Sequence, residues 1–220
     1  MELFTYEEFV QWVEKYKILP FSEFVPEHPS LTSAAAQNQW HTNDENDPWL
    51  WRIQIAHDGA AAYGKFFGPK AAFIHTDFFA LVRTALSSNK TVDERYKDGL
   101  ISNAANRLYK VLSENGNIDS RNLRKEAGLN AKEDKKDYEK ALVELQNYGD
   151  VVITGAAKQS DHEAGWSSMC YQPSELWLQS IQRNSDATSV EQAKELLKEQ
   201  LSLTCSAKAL TYFVKKLHLK

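Results

Sequence analysis

Between Leu100 and Leu176 the apolar residues pass through a succession of periods that few folds accommodate. Ile101, Ala104, Ala105, Leu108, Val111 and Leu112 recur at helical spacing, and Gly116 ends the run. Ile118 marks a brief extended piece, and Ser120 stands where it can cap a short helix ending at Gly128. A third helix is expected from about Asp134. It buries Tyr138, Ala141, Leu142, Leu145 and Tyr148, and Gly149 supplies the left-handed residue at its end. Val151–Thr154 is wholly β-branched, a polar loop follows, and Met169–Tyr171 reads as the returning strand. Helix, short strand, helix, helix, hairpin is the order of a winged helix-turn-helix. The fold class that follows is mainly α with small β-hairpins, an α+β chain in which the winged helix carries flanking helical segments.

The flanks are legible in pieces. Thr5 and Glu8 form a capping box ahead of Phe9, Trp12, Val13 and Tyr16, and Pro20 ends that pattern. Residues 21–46 read as irregular. Asp47-Pro48 restarts a helix, with Asp as the cap and Pro in the first helical position, and Gly59 closes it. Ala61–Phe67 and Lys70–Ile74 flank Gly68-Pro69 and predict a hairpin. Thr76 or Asp77 then caps a helix bearing Phe78, Phe79, Leu81, Val82 and Leu86, and Ser87–Lys90 is the candidate linker. Past Trp177, Ser189 and Gln192 form a second capping box, and a last helix begins near Ser206. The expected organisation is an amino-terminal helical, aromatic region with a hairpin connector (1–88), a winged-helix module (89–178) and a carboxyl-terminal helical pair (179–220), packed as one unit.

Composition narrows the function. The chain of 220 residues carries a net charge of −4, which is not the footprint of a protein held on DNA by bulk electrostatics, so any such contact needs a local basic patch. No apolar run approaches a bilayer span, and the first residues lack the pattern of a secretory signal. Cys170 and Cys205 have no short spacing and read as free thiols in a reducing compartment, so the cytoplasm is expected. The six histidines are scattered without a ligand spacing. No metal site, phosphate loop or other cofactor motif is expected.

Two regions could carry chemistry. In a DNA-reading winged helix the third helix enters the major groove while basic residues hold phosphates. Here Lys135, Lys136 and Lys140 face Asp137, Glu139 and Glu144, which leaves no net charge on that helix. Arg121, Arg124 and Lys125 make the preceding helix more basic, and the wing adds Lys158 and Trp166. These are the candidate DNA contacts. The alternative is a solvated face of a protein-binding or scaffold module. The second region runs from Gln37 to Arg52. Trp40, His41, Asp47, Trp49, Trp51 and Arg52 combine flat aromatic faces with polar groups, as a pocket for a planar ligand would. The alternative there is an aromatic mini-core that pins the irregular segment.

Leu108–Leu112 with Gly116, Ala141–Leu145 with Gly149–Gly155, and Tyr171–Glu175 together resemble the second winged-helix repeat of the AlkZ/YcaQ-type bacterial DNA glycosylases. Ala62–Phe67 with Lys70–Ile74 resembles the connector before that repeat, and Ser189–Leu217 the opening helices of a third. Gln39–Thr42 through Asp47–Arg52 resembles small AlkZ-related proteins of Gram-positive bacteria. The resemblance implies a shortened relative of enzymes that remove alkylated or crosslinked purines from double-stranded DNA. That family uses a Gln-x-Gln or Gln-x-Asp motif to position water beside C1′ as the N-glycosidic bond breaks. Gln37-Asn38-Gln39 matches the letters and makes Gln37 and Gln39 the candidate catalytic residues. It departs in context, because the family's motif lies farther upstream in a larger first repeat. The function implied is a DNA-associated protein that binds or excises damaged bases. The alternative is a non-catalytic module with a protein partner.

Overall fold

The computed structural model describes residues 2–87, 89–157, 168–183 and 188–219. Its first half alternates helices with short strands: α1 (Tyr6–Tyr16), β1 (Ile18–Pro20), α2 (Leu31–Ala34), a 3-10 turn (Gln37–Gln39), α3 (Pro48–His57), β2 (Ala61–Gly64), β3 (Ala72–His75), α4 (Thr76–Ser87) and α5 (Val92–Lys97). The winged helix follows as α6 (Asn103–Asn115), β4 (Ile118–Asp119), α7 (Ser120–Glu126), α8 (Lys135–Asn147), β5 (Val151–Ala157) and β6 (Ser168–Pro173). The chain continues through α9 (Ser174–Ser180), α10 (Val190–Thr204) and α11 (Ala207–Lys216). Among the described residues no helix is long and apolar enough to cross a membrane.

The strands join in one antiparallel sheet of order β1-β3-β2-β5-β6-β4. Tyr63 opposite Ile153 connects the amino-terminal hairpin to the wing strands. Strand side chains alternate between faces, and here both faces are covered. Ile18, Ala62, Ala72, Ile74 and Val152 pack under α4, α10 and α11 with Phe79, Leu197, Leu201 and Phe213. Leu19, Ala61, Tyr63, Phe73 and Ile153 pack on the other side against Phe9, Val13, Trp51 and Ile55 from α1 and α3. Double burial explains why these strands are apolar at every position instead of every second one. A third cluster, built from Ala105, Leu108, Leu112, Leu123, Leu142 and Leu145, is the winged-helix core.

The capping boxes at Thr5 and Ser189, and the Asp47-Pro48 start of α3, stand as their chemistry dictates. Three details differ from the sequence reading. Asp119, not Ser120, caps α7, since its carboxylate reaches the N–H groups of Arg121 and Asn122. Phe66 and Phe67 leave the strand and turn into the core. β1, α2, α5 and α9 are additional elements, although α5 opens on a capping box of Thr91 and Glu94 that is present in the sequence.

Candidate functional site

The irregular segment ahead of α3 is organised by one carboxylate. Asp47 is fully buried. Its Oδ1 accepts from the N–H groups of His41 (3.0 Å) and Trp49 (2.9 Å), and Oδ2 accepts from Asn43 N–H (3.0 Å). His41 and Asn43 take φ values of +64° and +61°, the left-handed backbone that histidine and asparagine enter more readily than most L-residues. Both N–H groups are thereby turned inward. Glu45 closes the loop, its carbonyl accepting from Trp51 Nε1 at 3.0 Å.

This anchoring places an aromatic shelf at the start of α3. The Arg52 guanidinium lies 3.7 Å over the Trp49 ring, and Arg52 Nε donates to the Trp49 carbonyl at 2.8 Å. The His41 ring is 5.3 Å from Trp49 and 6.2 Å from Trp40, while Phe21 touches both indoles at 6.0 and 6.2 Å. Trp49 and Leu50 remain 37 % and 41 % exposed. Arg52 is buried beneath them, with Nη1 3.7 Å from Met169 Sδ on β6, so the shelf abuts the returning strand of the wing. Tyr63 lies close by, its phenol pushed up by burial and held back by the neighbouring Arg52.

The sequence candidates therefore divide. Trp40, His41, Asp47, Trp49 and Arg52 come together. Trp51 belongs to the core, fully buried and stacked on Phe9 at 5.7 Å, and offers no face to a ligand. Gln37 and Gln39 share the 3-10 turn, but their amide nitrogens are spent on main chain. Gln37 Nε2 donates to the carbonyls of Thr32 (3.2 Å) and Ala35 (3.4 Å), and Gln39 Nε2 to that of Phe4 (3.0 Å). Gln39 Oε1 and Trp40 Nε1 are buried without a hydrogen-bond partner among the described residues.

On the winged helix, Arg124 is partly buried and faces inward. Its Nε donates to Leu129 O at 2.5 Å, Nη2 donates to Ala131 O, and the guanidinium sits 5.9 Å over Tyr138. It thus fastens the turn between α7 and α8, with little left for a phosphate. Arg121 and Lys125 lie exposed on α7, and Lys135 and Lys136 lie exposed at the start of α8, where Lys135 approaches Glu139 at 3.9 Å. Lys158 and Trp166 fall outside the described residues.

Another polar centre had no sequence signal. Arg95, 1 % exposed, pairs with Asp150, 4 % exposed. The same guanidinium donates to the carbonyls of Lys90 (2.5 Å) and Ser87 (3.4 Å) and lies 4.4 Å over Tyr148. Burial pushes the Asp150 carboxyl up to about 6, against the opposing pull of Arg95. Asp150 forms the floor of a cleft of about 930 Å³ whose walls include Tyr109, Lys110 and the Arg83–Glu175 pair (2.6 Å). No group of metal-binding side chains gathers among the described residues.

No curated protein and no solved structure matches the chain. Residues 3–218, which include both the aromatic shelf and the winged helix, match the family model described as AlkZ related, and the chain belongs to the AlkZ-related family.

Proposed function

We propose that this protein recognises distorted or damaged double-stranded DNA, holding the duplex with its winged helix and presenting Trp49 to the disturbed base. The observation that carries the reading is the exposed Trp49 indole, backed by buried Arg52 and seated beside β6 of the wing. Stacking of a base on an aromatic side chain contributes about 1–3 kcal/mol. Extruding a base costs a few kcal/mol, and least where the pair is already damaged. An acidic protein with a weak electrostatic grip then binds mainly where unstacking is nearly complete, which gives selectivity. Arg121, Lys125, Lys135 and Lys136, with Lys158 and Trp166 of the wing, would hold the backbone. In the excising form of this reading, Gln37 and Gln39 polarise a water through their carboxamide oxygens, since both amide nitrogens are engaged, and the buried Gln39 Oε1 has to be uncovered as DNA binds.

The test is fluorescence anisotropy with intact, abasic-analogue and alkylated-guanine duplexes at low and near-physiological salt. The expected result is a preference for the disturbed duplexes that persists in salt, and that Trp49→Ala lowers by about tenfold, the equivalent of one lost stacking contact. Unchanged preference in Trp49→Ala overturns the role of the shelf. Excision by Gln37→Ala/Gln39→Ala equal to that of the unmutated protein removes the catalytic part alone. One observation favours a second reading, a non-catalytic protein-interaction module: Arg124 is spent on backbone carbonyls. Failure to bind any duplex even at low salt would select it.

A further inference from the structure

The carboxyl-terminal ends of α8 and α11 meet the β2–β3 connection around a half-open groove of about 630 Å³. Phe67, Leu86, Leu100, Tyr148 and Tyr212 make it apolar, and Leu100 is 48 % exposed there. Lys215 and Lys216 stand on its rim, the latter 5.8 Å from the Tyr212 ring, and neither has an acidic partner among the described residues. The one carboxylate among the described residues of the wall, Glu144, is engaged by Ser102 N–H and Oγ–H at 3.1 and 2.6 Å.

A matching surface lies on α10. That helix buries Ala193, Leu197 and Leu201, yet Leu196 and Leu203 stay 43 % and 73 % exposed. Seven residues apart, they occupy one face about 10 Å long. Exposed Glu195 and Glu199 flank them on the same side, at helical offsets of about 100° and 60°. An acidic helix face with two apolar anchors is the complement of an apolar groove with a cationic rim, the helix-in-groove mode of recognition.

We infer that the outer face of α10 docks into the α8–α11 groove of a second copy of this chain. Leu196 and Leu203 enter between Tyr148 and Tyr212, and Glu195 and Glu199 meet Lys215 and Lys216. Donor face and acceptor groove are different surfaces, so the contact is heterologous. It is also small, and interfaces below about 1,200 Å² are transient, so association follows protein concentration and weakens with salt. The inference is independent of DNA binding.

Sedimentation analysis of the full chain over a concentration series tests it. Self-association is expected for the unmutated protein, with a loss of about tenfold or more in Leu203→Glu and in Lys215→Glu/Lys216→Glu, the scale of one anchoring residue. Mixing the two variants provides the control for misfolding, because one retains the groove and the other the helix face. Their mixture should form a one-to-one complex that neither forms alone. A monomer at every concentration, unchanged association of Leu203→Glu, or variants that stay apart when mixed would each overturn the inference.

Discussion

Asp150→Asn strikes the most deeply buried ion pair among the described residues, and its cost follows from the geometry. The substitution removes the charge but not the volume. It leaves the Arg95 guanidinium, 1 % exposed, without a counter-charge, held by the Lys90 and Ser87 carbonyls, the Tyr148 ring and at most a neutral amide oxygen. Breaking one side of a buried pair costs about 3–5 kcal/mol. For a chain of this size that lowers Tm by about 10 °C. Arg95→Met behaves differently, because the abandoned carboxyl has an escape. Its proton affinity is already raised by burial to about 6 with Arg95 present, and it rises further without it. A raised carboxyl binds more protons in the folded than in the unfolded state, so stability falls as pH rises through that interval and recovers as pH falls. Arg95→Met should therefore regain much of its loss between about pH 7 and pH 5, while Asp150→Asn should not. The double variant should cost less than the sum of the single ones by about 1–3 kcal/mol. Urea unfolding followed by tryptophan fluorescence at both pH values measures all four corners of the cycle. Single costs below about 1 kcal/mol, or strict additivity, would refute the view that this pair fastens the α4–α5 turn to the start of β5.

Two further outcomes follow from named contacts. His28 is buried against Tyr16 and Phe213, its Nε2 donating to the Ile18 carbonyl at 2.8 Å, and burial lowers its proton affinity below the usual histidine value. The unfolded chain then binds more protons, so this residue costs stability as pH falls below about 6.5. Replacing it with glutamine, which can keep a donor, should flatten that part of the curve of urea midpoint against pH, and an unchanged slope would exclude the residue as its source. Asp47→Ala orphans three N–H groups at once and should cost about 2 kcal/mol or more. It should also shift tryptophan emission to the red as the shelf opens, and near-ultraviolet circular dichroism unchanged from the unmutated protein would contradict the anchoring role.

What the sequence disclosed, and what it hid, sorts by the range of the forces involved. The capping box at Thr5, the Asp47-Pro48 start and the apolar stripe of α8 are set by residues within one or two turns, and each stands in the structure where local chemistry puts it. β1 was hidden because Ile18-Leu19-Pro20 is buried on both faces and shows no alternation, and because its pairing partner, β3, lies more than fifty residues downstream. Arg95 was hidden for a related reason. Val-Asp-Glu-Arg-Tyr-Lys resembles a solvated turn of helix until Asp150 arrives from the far side of the winged helix. At the shelf, sequence proximity grouped Trp49 with Trp51, but two steps of about 100° along a helix send them to opposite sides. One indole became core against Phe9 and the other stayed open over Arg52. Composition therefore located the aromatic region, while helical phase chose the tryptophan available to a ligand. By the same reasoning the Gln-x-Gln pattern is insufficient by itself: two residues apart on a 3-10 turn, its side chains diverge to the backbones of different segments, Thr32 for one and Phe4 for the other. Any chemistry they share must use the oxygens that those contacts leave over.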